Sequence, residues 1–136
     1  MIKEDYVSFE TAKLLKEKGF DSPCFMAYYE TNNGHKIGYD VGRNNYQWDI
    51  VNKENGLSNC CAPTLQMAMK WLRKEHNIGI FPSTYCLLKN GEVTHPYGTC
   101  ITNLVTYEII VDDCLPEETY EEAIENALIY CLKNLI

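Results

Sequence analysis

The stretch from 119 to 136 constrains the fold more than any other. Thr119 and Glu122 have the spacing of a capping box. Ala123, Ile124, Ala127, Leu128, Cys131, Leu132 and Leu135 then fall on one side of a helix, with Glu121, Glu122, Glu125 and Asn126 on the other. The acids of the first turn lie where the helix dipole favours negative charge. So continuous a stripe must be buried, so the rest of the chain has to supply a layer for this helix to cover.

Two further helices are predicted. Ser8 is a good N-cap, Val7 can staple onto Ala12, and Gly19 stands where a left-handed residue ends a helix, which gives a first helix over 9–18. Pro63 suits a first turn, and Leu65, Ala68, Met69 and Leu72 repeat at i, i+3, i+4 and i+7, with Trp71 widening the stripe, which gives a second over 63–76. The last runs over 119–134.

Between them lie strand signals. CFMAYYE (24–30) and 35–41 flank the turn residues Thr31, Asn32, Asn33 and Gly34 and form a hairpin. NYQWDIV (45–51) is expected to extend the sheet, and 52–59 to be a polar loop. IGIFPSTYCLLKN (78–90) leads through Asn90 and Gly91 into EVTHPY as a second hairpin, and 99–111 has the β-branched and aromatic content of a long central strand. Pro82 and Pro96 place their neighbours at edges or bends. The order helix, strands, helix, strands, helix lacks regular strand–helix alternation, so the expected class is α+β: an antiparallel sheet packed with three helices, in a single domain over 1–136.

Composition enters chiefly by exclusion. At 46% hydrophobic and 23% charged the chain is neither collagenous nor disordered, and no apolar run approaches the roughly 20 residues that span a bilayer. The opening MIKEDYVSFE carries charge where a secretory leader needs an apolar stretch, so a cytoplasmic setting is expected. In that reducing setting the seven cysteines (Cys24, Cys60, Cys61, Cys86, Cys100, Cys114, Cys131) read as free, mostly buried thiols.

No motif assigns chemistry, and no residue is expected to be catalytic, cofactor-binding or metal-ligating. Cys60 and Cys61 are the only tight cysteine pair, and adjacent residues chelate a tetrahedral ion poorly. They lie just before a predicted helix start, so a thiolate nucleophile served by His35, His76 or His95 is the possible hidden site. Asp112 with Asp113 and Glu117 with Glu118 read as solvated loop acids, Cys131 as a small hydrophobe, and the scattered glycines form no phosphate loop.

Charge and tyrosine content point to a partner. Residues 90–136 hold nine acids and the single base Lys133, which disfavours phosphate binding and favours a basic partner, although a solvated acidic helix face kept for solubility is the plainer reading. Basic residues cluster at Lys13, Lys16 and Lys18 and at Lys70, Arg73 and Lys74, interleaved with Glu10, Glu17 and Glu75. Strand aromatics (Tyr28, Tyr29, Tyr39, Tyr46, Trp48, Tyr85, Tyr97, Tyr107) could stack single-stranded bases, but that mode needs a basic groove as well. Cross-strand packing or a protein interface suits them better.

Three segments together, YVSFETAKLLKEKGFD (6–21), APTLQMAMKWLRKEHN (62–77) and TYEEAIENALIYCLKNLI (119–136), resemble a family of small uncharacterised proteins encoded in bacteriophages, prophages and other mobile elements of gut anaerobic bacteria. They span about a third of the chain. The resemblance implies a genetic context and no site residues, with the helices as common scaffold and the sheet loops as the variable part. The expected function is that of a non-enzymatic accessory protein binding another protein or a second copy of itself, without cofactor, metal, membrane or nucleic acid. The alternatives are a small enzyme built from distant residues such as Cys60, His76 and His95, and, more weakly, nucleic-acid binding through the sheet aromatics. A concave pocket joining a cysteine to a histidine favours the enzyme, and a flat tyrosine-rich face beside an acidic helix favours the binder.

Overall fold

The computed structural model describes residues 2–84, 87–89, 91–94, 97–112 and 117–136, and its fold is α+β with every strand pairing antiparallel. The chain divides into two units, Met1–Thr64 and Leu65–Ile136.

In the first unit α1 (Phe9–Glu17) begins at Ser8, whose hydroxyl accepts from the Thr11 amide at 3.2 Å. Val7 and Ala12 are both fully buried, as the staple requires. β1 (Met26–Thr31) and β2 (Gly34–Tyr39) form the expected hairpin, and β1 also pairs with the two-residue β3 (Cys60–Cys61), giving the order β2-β1-β3. Pairing of Tyr6 with Thr64, and donation from the Val7 amide to the Pro63 carbonyl at 3.0 Å, hold 63 and 64 extended. The following helix therefore starts at Leu65 and not at 63.

The expectation of a strand at 45–51 and a polar loop at 52–59 is corrected: 45–55 is a helix, α2 (Asn45–Asn55). Asn44 and Gln47 form a reciprocal capping box, and Gly56, with φ +65°, supplies the left-handed C-cap. Its buried residues are Asn45, Trp48 and Asn52, at i, i+3 and i+7. Both asparagines are hydrogen-bonded to the backbone around β3. The Cys61 amide donates to Asn45 Oδ1 at 3.0 Å, the Asn59 amide donates to Asn52 Oδ1 at 2.9 Å, and Asn52 Nδ2 donates to the Asn59 carbonyl at 2.7 Å. Two side-chain amides thus stand in for a missing neighbouring strand, since buried backbone groups must find partners somewhere.

The second unit holds α3 (Leu65–His76), β4 (Ile78–Thr84), β5 (Leu87–Lys89), β6 (Glu92–Thr94), β7 (Tyr97–Asn103), β8 (Ile109–Val111) and α4 (Tyr120–Asn134). The sheet order is β4-β7-β8, with β5 and β6 a separate ribbon. Lys89 pairs with Glu92 across the predicted turn. Asn90 itself, with Tyr85, Cys86, His95, Pro96, Asp113 and Cys114, lies outside the described residues. Thr119 caps α4 by accepting from the Glu122 amide, and six residues of the predicted stripe, Ala123 to Leu132, are buried.

The single strand expected at 99–111 is also corrected. Asn103 Oδ1 accepts from the amides of Val105 and Thr106 at 2.9 and 3.1 Å, and the Tyr107 amide donates to the Asn103 carbonyl at 2.8 Å. This asparagine-centred turn folds the segment into a β7–β8 hairpin. The expected α+β class holds, and among the described residues it is built of four helices, two three-stranded sheets and a ribbon where one sheet and three helices were expected.

Candidate functional site

Alternation along β1 and β3 decides what meets what in the first unit. Tyr28 turns its ring edge-on to Phe9 of α1, at 5.5 Å, and Tyr29 turns the other way, edge-on to Trp48 of α2 at 5.5 Å. Cys60 and Cys61 divide in the same manner between a cleft beside α1 and a buried cluster around Arg43.

The cleft has a volume of about 470 Å³ and is lined by Phe9, Lys13, Lys16, His35, Asp49 and Cys60, among others. His35 stacks on Phe9 with ring centres 3.8 Å apart, and the Lys13 ammonium lies 5.5 Å from the centre of the same phenyl ring. Lys16 reaches Asp49 at 2.6 Å. The predicted cysteine and histidine are thus brought to one concave site, Cys60 with His35. Their chemistry is closed. Burial pushes the Cys60 thiol up to about 11, against the smaller opposing pull of Lys16 and Lys13, so at neutral pH it is a protonated, apolar wall.

His35 is committed as well. Its Nε2 lies 3.0 Å from the Ser58 carbonyl and 2.9 Å from Ser58 Oγ. A carbonyl can only accept, so Nε2 carries a proton and cannot take one from the serine. The Ser58 hydroxyl and amide both donate to Glu30, at 2.9 and 2.7 Å. In a hydrolytic triad the histidine stands between hydroxyl and acid. Here the hydroxyl stands between histidine and acid, and the chain ties the segment before β3 to the hairpin instead of activating a nucleophile.

On the other side of β3 the Cys61 thiol donates to the Arg43 carbonyl at 3.0 Å, and the Cys24 amide donates to the same carbonyl at 3.1 Å. A hydrogen bond between the two thiols holds Cys24 below and Cys61 above the ordinary thiol range. Both are almost fully buried, which leaves the Cys24 sulfur no approach for a substrate. Asp40 pairs with Arg43, whose guanidinium covers the Trp48 ring at 4.7 Å.

His76 belongs to the second unit, where its ring meets Trp71 edge-on at 4.7 Å. Of the two acid pairs, Asp112 and Glu118 are exposed and Glu117 is half-buried, while Asp113 lies outside the described residues. Among the described residues no three His, Cys, Asp or Glu side chains converge as metal ligands do, five thiols are free, and no helix is long and apolar enough to cross a membrane.

The surface is more informative than the cleft. Tyr39, Tyr46 and Tyr107 are exposed, as are Phe25, Val41, Phe81, Val105 and Ile109. Tyr28 and Tyr29 are the half-buried exceptions, tied to α1 and α2. Sequence reasoning missed Phe81, although the signal is present. In the uniformly apolar run IGIF, alternate residues of a strand must point to opposite faces, so both faces of β4 are apolar. No protein-family model, curated protein or solved structure matches the chain.

Proposed function

We propose that the protein works by recognising another protein and not by catalysis, and that, following its resemblance, it does so as an accessory protein of a bacteriophage or mobile element, in the cytoplasm. The observation that carries this reading is the outward placement of large apolar and aromatic side chains on the sheets of both units or in the segments that flank their strands: Phe25, Tyr39 and Val41 in one, Phe81, Tyr107 and Ile109 in the other. Apolar surface of this kind marks interaction sites. Electrostatics supports a protein partner over nucleic acid. Residues 65–136 contain ten carboxylates and five Lys and Arg, which repels phosphate, and none of those five bases falls within 78–84 or 97–112, where the exposed aromatics are. The raised thiol of Cys60 and the protonated Nε2 of His35 argue against the cysteine–histidine enzyme.

The reading is tested by isolating the tagged full chain from infected or lysogenic cells, with and without nuclease. A protein present in fixed ratio that survives nuclease is expected. A bare chain, or a partner that nuclease removes, contradicts it.

A further inference from the structure

The β4-β7-β8 sheet has one face built for burial. Ile78, Ile80, Thr99 and Ile101 are buried on it, and α3 and α4 pack against β4 and β7. The opposite face follows from register. Gly79 pairs with Thr102, Phe81 with Cys100, and Ile109 with Thr102, so these residues share a side. A Cβ placed on Gly79 would meet the Phe81 ring at 2.7 Å and the Leu104 side chain at 2.9 Å, which brings both over that glycine. Phe81 is 50% and Ile109 61% exposed. An antiparallel sheet with a solvated second face ordinarily makes that face polar. This one carries Phe81, Leu104 and Ile109 around Thr102, with Phe81 and Ile109 exposed.

Beside it the β7–β8 turn presents Tyr107 at 80% exposure with φ +62°, a left-handed conformation that is strained for a bulky residue. The Asn103 hydrogen bonds hold that backbone turn in place, so the ring projects from a fixed position at the end of the hairpin. Charge selects the partner: 78–84 and 97–112 contain no Lys or Arg, and their only charges are Glu108 and Asp112, at the two ends of β8.

We propose that this face is a docking surface for an amphipathic segment of another protein whose apolar side is bordered by lysine and arginine. The proposal rests on the protein-recognition reading and gives it a location and a partner chemistry. A second copy of the chain is the poorer occupant, because face-to-face pairing sets Glu108 and Asp112 against their own counterparts without a compensating base.

The test is a titration of the isotope-labelled full chain with a synthetic leucine–lysine amphipathic helix, read by amide NMR, with a second peptide bearing glutamate in place of every lysine. The lysine peptide should saturate with shifts concentrated at Phe81, Thr102, Leu104, Tyr107 and Ile109. Phe81→Ser and Glu108→Lys should each weaken it by about tenfold or more, Glu108→Lys at unchanged melting temperature and Phe81→Ser in a chain whose amide spectrum stays folded. The glutamate peptide should not saturate. Shifts centred instead on Phe25, Tyr39 and Val41 overturn this surface and leave the recognition reading standing. Equal binding of the two peptides, failure of the lysine peptide to saturate, or a dimer in sedimentation that Phe81→Ser dissolves overturns the proposal, and isolation of a native partner then judges the recognition reading separately.

Discussion

In Met1–Thr64 neighbouring residues of β1 send their rings in opposite directions, Tyr28 to α1 and Tyr29 to α2, so the strand is covered on both sides. In Leu65–Ile136 the inward isoleucines of β4 and β7 are buried beside α3 and α4, while Phe81 and Ile109 on the far side stay exposed. The first unit also buries three asparagines, and satisfies them: Asn45, Asn52 and Asn59 hydrogen-bond backbone that a longer strand would otherwise serve, while the indole N–H of buried Trp48 has no hydrogen-bond partner. The second unit buries mostly hydrocarbon and leaves hydrocarbon outside. The contrast teaches where to look for function. A buried asparagine network that serves the backbone is a structural solution, whereas exposed apolar residues on a sheet face are where the proposed recognition is to be sought.

The comparison can be broken most forcefully at the hydrocarbon core. Leu128 is fully buried on α4, so Leu128→Ala should cost roughly 2–5 kcal/mol in denaturant melts, and a loss under about 1 kcal/mol would make that helix peripheral. Next comes the asparagine network. Asn52→Ala strips the amide of buried Asn59 of its partner, leaves its carbonyl only the longer bond from Lys16 Nζ at 3.4 Å, and should cost about 1–3 kcal/mol, with Asn52→Asp a poorer replacement than its size suggests, because it can accept but not donate.

A smaller effect separates the buried thiol from a reactive one. Because folding raises Cys60 from 9.0 to about 11, its contribution is fully present below pH 9 and is lost as pH climbs towards 11, when the unfolded chain ionises first. Wild type should therefore lose about 1 kcal/mol more than Cys60→Ala between pH 8 and pH 10, as urea melts at the two pH values would show. Identical pH dependence would mean the thiol is not desolvated. The smallest change is expected on the exposed face: Ile109→Ser should cost less than about 1 kcal/mol, since more than half of its surface is already in water.

What could be read from the sequence follows from which interactions are periodic. α1, α3, α4 and the β1–β2 hairpin announced themselves through caps, turn residues and apolar stripes. α2 did not, because the face it buries is Asn45, Trp48 and Asn52, and a stripe of two asparagines and one ring is invisible to a hydrophobic pattern. Its ends were nonetheless written in Asn44, Gln47 and Gly56. The break between β7 and β8 turned on one side chain, Asn103, within a run of good strand formers. The cleft was legible only as a suspicion about Cys60 and His35, since Phe9, Glu30, Asp49 and Ser58 arrive there from separate elements and loops.

The central claim is that the exposed face of the second unit's sheet recognises a protein. Its most direct test is the affinity, by calorimetry, of the co-isolated partner for wild type and for the Phe81→Ser, Ile109→Ser double variant, with thermal melts alongside. A loss of about tenfold or more in affinity is expected in a double variant that still melts cooperatively. Full affinity in a folded double variant would contradict it.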